Sequence, residues 1–189
     1  MIKNYKFITT LSIIFFSLII ISTSMAVYSA EEVKSRELSG DKLTMERIEG
    51  FESEYKILAQ GNALLIYDDM EISGENAKFN TAQNSICFNK NVKLEATDSL
   101  IKGNELSGNI DDQKYIFKGD VFFSYNQIEA TADKVTYNMK DEMAYLEGNV
   151  KGNQNGRKFS ADNINIDLKK EKIQLSGKAK LVFPDKGEK

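Results

Sequence analysis

Residues 115–124 read YIFKGDVFFS and place an apolar or small side chain at every second position around a central Gly-Asp pair. Residues 173–182 read IQLSGKAKLV and repeat the pattern. A period of two is typical of a β-strand that buries one face. The two stretches therefore predict strands, and their shared central pair indicates a repeat.

The central pair belongs to a series with a spacing of 29 residues, namely Gly61-Asn62-Ala63, Lys90-Asn91-Val92, Gly119-Asp120-Val121, Gly148-Asn149-Val150 and Gly177-Lys178-Ala179. A second series places a small residue before an acid or amide at the same spacing, at Gly74-Glu75, Gly103-Asn104, Ala132-Asp133 and Ala161-Asp162. A fixed period of this length is typical of stacked copies of one supersecondary unit. The pair Gly40-Asp41 opens the second series 34 residues before Gly74, which predicts about five extra residues between Arg47 and Tyr55.

Each unit contains two predicted strands. The alternation slips once after the small residue of the second series, as expected where a strand bulges or bends. Turn-forming residues recur between the strands, at Asn80, Asn109, Asn138 and Asp167 and at Asp68-Asp69, Asp98-Ser99, Asn126-Gln127 and Asn155-Gly156. Five units predict an all-β domain of about ten antiparallel strands, with one or two more near the N-terminus.

The two termini differ from the repeat. Residues 1–26 carry two lysines, an uncharged apolar run and small residues before a cleavage position, which predicts an export signal peptide. Retention of the segment to residue 30 as a membrane anchor is the alternative. The single proline, Pro184, follows the last predicted strand, so residues 184–189 are expected to form a C-terminal tail.

Composition argues against catalysis and nucleic-acid binding. Histidine and tryptophan are absent, which removes the commonest general base and metal ligand, and we predict no enzyme activity, cofactor or metal. The acidic pairs Asp68-Asp69 and Asp111-Asp112 lack the ligand spacing of a calcium loop. The net charge is −3 and no basic run stands out, so no nucleic-acid partner is expected. The lone Cys87 falls at an outward position and is interpreted as a surface thiol without a role.

The glycine-centred step, the small-acid corner, the Asn-ended strand 135–138 and the export signal together resemble the OstA-like family. That family includes the LptA-type and LptC-type proteins of lipopolysaccharide export, and the resemblance covers residues 37–183. It implies an open antiparallel β-jellyroll, folded like a V, whose apolar interior holds acyl chains. It also implies a periplasmic location or an inner-membrane anchor, and end-to-end association that bridges the inner and outer membranes.

The inward positions of the alternating strands are the candidate lipid-binding residues, because an apolar trough would cover acyl chains during passage through water. They are Phe79, Phe88, Leu94, Tyr115, Phe117, Phe123, Tyr137 and Leu146. Plain core packing explains each of them equally well. The expected partners are lipopolysaccharide or a related glycolipid, an inner-membrane export complex and an outer-membrane translocon reached through the terminal strands, and further copies of the chain arranged head to tail.

Two other classes fit parts of the pattern. A secreted β-solenoid scaffold or surface interaction protein would show the same alternation around a dry interior without lipid. A secreted carbohydrate-modifying enzyme would need two carboxylates at a fixed separation beside aromatic platforms, whereas the aromatic residues here alternate inward.

Overall fold

A computed structural model describes residues 35–184, and the predicted signal peptide and most of the C-terminal tail lie outside the described residues. The strands are β1 (Arg36–Ser39), β2 (Lys42–Arg47), β3 (Tyr55–Tyr67), β4 (Met70–Asn80), β5 (Ser85–Ala96), β6 (Ser99–Asn109), β7 (Lys114–Tyr125), β8 (Ile128–Asn138), β9 (Met143–Gln154), β10 (Arg157–Asp167), β11 (Lys172–Ser176) and β12 (Lys180–Val182). No helix in this part of the chain could cross a membrane.

All the strands belong to one antiparallel sheet in which β3 to β10 follow one another in chain order. At the first edge, β1 pairs with one half of β3 and β2 pairs with the other half. At the last edge, β11 and β12 share β10 in the same way. Eight full-length strands are thus flanked by two broken ones, and the two edges do not pair with each other, so the predicted open all-β architecture is confirmed.

The glycine-centred pairs form a line of corners across the sheet. In β7 the register shifts between Lys118 and Val121, so Gly119 and Asp120 together oppose a single residue of β8. Both have positive φ, 79° and 48°, and the same shift recurs in β3, β5 and β9. An extra residue in a left-handed conformation bends a strand sharply. The alternation slips in β8, between the buried Ala132 and Val135, but the extra residue of the bulge lies opposite this point on the glycine-centred strand β7.

The corners divide every long strand into two halves. The long-turn arm contains the halves that end at the turns 81–84, 110–113, 139–142 and 168–171. The short-turn arm contains the halves that end at the turns 68–69, 97–98, 126–127 and 155–156. The ring of Phe123, in the short-turn arm, meets Tyr137, in the long-turn arm, at a centroid distance of 6.2 Å and an interplanar angle of 67°. The sheet therefore folds along its corners so that the two arms pack face to face.

Two connections between strands bear on the sequence predictions: the loop 48–54 and the turn 97–98. The extra residues of the first unit fall between the end of β2 at Arg47 and the start of β3 at Tyr55, where the loop 48–54 replaces a four-residue turn. The break expected at Asp98-Ser99 lies one residue earlier, at 97–98, because Ser99 is a buried first residue of β6.

Candidate functional site

The inner faces of the two arms form one apolar core. All eight candidate lipid-binding residues belong to it, and the most accessible of them, Phe79, is 8% exposed. Six of the eight lie on the long-turn arm, and Leu94 and Phe123 face them from the short-turn arm. The alternation therefore identified the inner face, and contact of these residues with lipid stays a prediction.

This interior is filled by the protein's own side chains. Phe117, Phe123 and Leu146 have no accessible surface, and the Phe123 ring packs edge-on against Tyr137. The resemblance implies a trough that holds acyl chains, whereas in this structure the arms close on each other. Because packed interiors have little free volume, the arms must separate before a guest molecule can enter.

Tyr115 places a phenolic hydroxyl group inside this core. Its hydroxyl group has no hydrogen-bond partner among the described residues. Burial raises the pKa of Tyr115 well above its ordinary value, and nearby Tyr67 adds to the rise. Burial also raises the pKa of Tyr137, and the neighbouring Ser99 hydroxyl partly opposes that rise. Both phenols therefore stay neutral, as an apolar interior requires.

The tips of the two arms meet along a line that we call the seam. On the long-turn arm, the first residue of each turn recurs every 29 residues, at Thr81, Ile110, Met139 and Leu168. Ile110 and Leu168 are buried, and their amides donate to the carbonyl oxygens of Asn84 and Glu142 in the preceding turns, each at 2.9 Å. These four positions share the 29-residue period, so the sequence could have revealed them, although the sequence analysis did not identify them. The buried members of the series close the core on the side opposite the corners.

Arg36 crosses the seam near the first edge of the sheet. Its register partner is Tyr67, which places it on the inner side of the short-turn arm. The guanidinium donates to Asn84 Oδ1 and, at 2.8 Å, to Asp111 Oδ1, both on long-turn tips. It also lies 5.2 Å from the centroid of the Tyr67 ring. Sequence analysis missed this contact because Arg36 stands outside both 29-residue series.

Farther along the seam, the arms leave a cavity of about 280 Å³. Its lining comes from two short-turn tips and one long-turn tip: Tyr125, Asn126, Gln127, Ile128, Gln154, Asn155, Leu168 and Glu171. Partial burial raises the pKa of Tyr125, and the carboxylates of Asp98, Glu142 and Glu171 add to the rise. The seam is therefore bridged by Arg36 near the first edge and contains a cavity farther along.

The edges of the sheet expose apolar side chains. Leu43 and Met45 of β2 are 49% and 61% exposed, although their register partners Ala59 and Ile57 face the core. At the last edge, Leu181 pairs with the core residue Phe159 and is 47% exposed. Each edge thus presents unpaired backbone beside an inward apolar residue, which is the surface that strand addition would cover.

Several shallow cavities lie on the outer face, and two of them lie near the edges of the sheet. One of about 490 Å³ lies near the last edge, between Phe122 and Val182. The other, of about 400 Å³, lies near the first edge and includes Leu58 and the exposed Cys87. Both are lined mainly by outward residues, and the core residues Ala130, Phe159 and Phe79 also contribute to their lining.

The recurring acids act as hydrogen-bond or ion-pair partners at the corners. Asn149 donates to Asp133 Oδ2 at 2.8 Å, and Lys90 forms an ion pair with Glu75 at 3.0 Å. In the acidic pairs, Asp111 accepts from Arg36, and Asp69 accepts from the Thr97 hydroxyl at 2.9 Å. These carboxylates are occupied by structural contacts.

Comparison with known proteins agrees with this architecture. Residues 110–172 match the family described as LptA/(LptD N-terminal domain) LPS transport protein. Comparison with curated protein sequences gives no match. The crystal structure of LptH, the LptA-homologous periplasmic component of the lipopolysaccharide transport device of Pseudomonas aeruginosa, is similar with a TM-score of 0.59. The sequence identity is 12%, and the similarity covers 61% of this chain and 94% of that chain, which shows a shared fold. The resemblance that the 29-residue repeat indicates is thereby confirmed, in the fold and in the family match over residues 110–172.

Proposed function

We propose that this protein is a periplasmic carrier of lipopolysaccharide or a related glycolipid. Its two arms hold the acyl chains between their apolar faces, and its edges join further copies or membrane complexes end to end. It acts by binding and has no catalytic step. The description of the matched family as an LPS transport protein supports this function, as does the similarity to a periplasmic transport component.

The observation that carries the proposal is the continuous apolar surface along successive strands. Phe88, Phe117 and Leu146 occupy equivalent positions on β5, β7 and β9, at the common spacing of 29 residues. Burial of a methylene group contributes about 0.8 kcal/mol, so an acyl chain laid along these positions is bound strongly. Because the positions are equivalent, the chain can shift from one to the next at small net cost.

The edges support the bridging part of the function. β2 and β12 each have one free side, and both carry exposed apolar residues. A β-strand added there would satisfy the backbone groups and cover those side chains. An inner-membrane export complex at one edge and an outer-membrane translocon at the other would then be joined by one or more copies of the chain.

A dry structural scaffold is the second candidate, and the closed core is the observation that favours it. Leu94, Phe117 and Leu146 are fully buried by the protein's own residues. A packed core of this kind is sufficient for a structural scaffold. The carrier function requires the arms to open, so bound lipid distinguishes the two.

Photo-cross-linking in cells tests the carrier function. A photoreactive amino acid replaces Phe117 on the inner face, and the matched control replaces the neighbouring outward residue Lys118. A second pair uses Leu175, a partly buried inward residue of the terminal strand β11, with the exposed Gln174 as control. The terminal position tolerates a bulky group better because one side of β11 is free.

Attachment of lipopolysaccharide at the inward positions alone is the expected result. Equal attachment at inward and outward positions would indicate nonspecific surface contact. Absence of lipid at both inward positions, in protein that is folded and exported, would favour the dry scaffold.

A further inference from the structure

The end of the seam near the first edge is held closed by a cluster around Arg36. The guanidinium reaches from the short-turn arm to acceptors on two long-turn tips, Asn84 and Asp111. Asn84 Nδ2 also donates to Asp111 Oδ2 at 2.6 Å, which links the two tips to each other. An isolated exposed ion pair contributes little. Here one guanidinium has two acceptors and the Tyr67 ring at once, and this geometry ties the arms together.

The other end of the seam contains the cavity of about 280 Å³. Tyr125 and Glu171 line it, and these positions lie two repeats after Tyr67 and Gln113 at the closed end. Ile128 and Leu168, both buried core residues, also reach the cavity. The cavity therefore connects the apolar core to the tips of the two arms.

The charges of the two ends differ as well. The closed end carries the exposed residues Asp69, Asp111 and Asp112. The equivalent turn at the other end carries Lys169, Lys170 and Glu171 in place of Asp111, Asp112 and Gln113, and Lys170 forms an ion pair with Asp167 at 2.9 Å. The turn at the cavity end is thus the less acidic of the two, so it repels an anionic head group less strongly, because charges near a surface act over about a Debye length of 10 Å.

We propose that the acyl chains of an anionic lipid pass between the core and the solvent at the seam cavity lined by Tyr125, Ile128, Gln154 and Leu168, while Arg36 keeps the other end closed. This portal rests on the proposed carrier function. It follows from the closed core, since chains can enter only where the arms part. The Arg36 contacts hold one end closed, so the cavity at the other end is the place where the arms are expected to part.

Distance measurements between spin labels test which end of the seam opens. Two cysteine pairs are introduced in a Cys87→Ser background, and the repeat makes them equivalent. Gln127→Cys with Glu171→Cys spans the portal, and Asp69→Cys with Gln113→Cys spans the closed end two repeats earlier. The portal pair is expected to show the broader distance distribution and to move apart when lipopolysaccharide is added. Arg36→Ala is expected to broaden the distribution of the other pair.

The same cysteine pairs then test the route of the lipid. Each pair is joined with a short bis-maleimide, and the rate of lipopolysaccharide loading is compared with that of single-cysteine variants treated with the same reagent. Joining the portal pair is expected to slow loading by about tenfold or more, because the arms can no longer part there. Joining the closed-end pair should leave the rate within about twofold.

Two outcomes overturn the portal and differ from a failure of the carrier function. If loading is slowed equally by both cross-links, or only by the one at the closed end, lipid binds but enters elsewhere. If the untreated protein binds no lipid, the carrier function fails and the portal fails with it. In that case the spin-label distances still establish whether the Arg36 end is the more rigid one.

Discussion

The carboxylate of Asp133 occupies the space in which Gly148 would carry a β-carbon. Gly148 has a φ of +79°, and Asn149 next to it donates to Asp133 Oδ2 at 2.8 Å. The acid of one strand therefore covers the corner of the next strand. The two 29-residue series are coupled because they meet in space at every corner.

Gly148→Ala is expected to destabilise the protein by about 2–4 kcal/mol, since it combines a strained left-handed residue with a collision against Asp133. Chemical denaturation measures the change. Gly50→Ala is the matched control, because Gly50 has a φ of +86° with nothing within 4 Å of an added β-carbon. It should cost about 1 kcal/mol. Equal losses in the two variants would show that crowding by Asp133 has no effect.

The double variant Asp133→Ala/Gly148→Ala separates the two contributions further. Removal of the carboxylate relieves the collision, so the double variant should be less destabilised than the sum of the two single changes. The natural pair Glu75 and Lys90 indicates that a side chain is tolerated when the acid can turn aside, because Lys90 has a φ of +59° and forms an ion pair with Glu75. Strict additivity in the denaturation experiment would contradict this account.

Tyr115→Phe is expected to stabilise the protein by about 1 kcal/mol at neutral pH, because it removes a buried hydroxyl group that has no partner. It should also reduce the loss of stability at high pH. The folded-state pKa of Tyr115 lies above the ordinary value of 10.0, so the folded protein holds the phenolic proton more tightly than the unfolded chain does. Stability is then unaffected below pH 10 and falls as the pH rises above it.

Denaturation curves across this pH range measure the effect of Tyr115→Phe. Tyr137→Phe provides a comparison, since burial also raises the pKa of Tyr137 but Ser99 partly opposes the rise. An unchanged pH dependence in Tyr115→Phe would mean that water reaches the hydroxyl group.

Leu146→Ala is expected to cost about 2–5 kcal/mol, because Leu146 is fully buried between the arms and its truncation leaves a cavity. Tyr145→Ala changes the adjacent outward residue, which is 38% exposed, and should cost much less. Thermal or chemical unfolding of both variants gives the comparison. Similar losses would indicate that the arms are not packed together in solution.

Leu181→Asp is expected to reduce head-to-tail association by tenfold or more, an order-of-magnitude expectation for a charge placed in an apolar contact. Leu181 pairs with the buried Phe159 on the terminal strand β12 and is 47% exposed at the edge of the sheet. Light scattering over a range of concentrations measures the association. Gln127→Asp adds the same charge at an exposed turn away from both edges and should have no effect. A protein that is monomeric at all concentrations would contradict the end-to-end arrangement.

Local features of the sequence were sufficient to predict most of the strands, although the stretch 173–182, predicted as one strand, is divided into β11 and β12. Inward residues such as Phe117 and Leu146 were identified by alternation, and the corners were identified by the glycine-centred pairs. The position of the turn before Ser99 was wrong by one residue, because its small polar side chain resembles a turn residue although it is buried. The preference of a residue type for turns is a local property, so it does not reveal that Ser99 is buried in the folded protein.

The contacts across the seam could not be predicted in this way. Arg36 is 48 residues from Asn84 and 75 residues from Asp111, and it lies on an edge strand that departs from the repeat. No period relates these positions. Their proximity arises only when the corners fold the two arms together.

The sequence by itself therefore determined the repeat, the strands and the residues of the inner face, because period and turn chemistry act between neighbours in the chain. The tertiary structure decided whether the inner faces are open or closed, which edges remain unpaired and where the arms are tied. These properties depend on contacts between distant segments, as when Phe123 meets Tyr137 and Arg36 meets Asp111. Such contacts form only after the sheet has bent at its corners, since packing across the core is set by the distance between the arms.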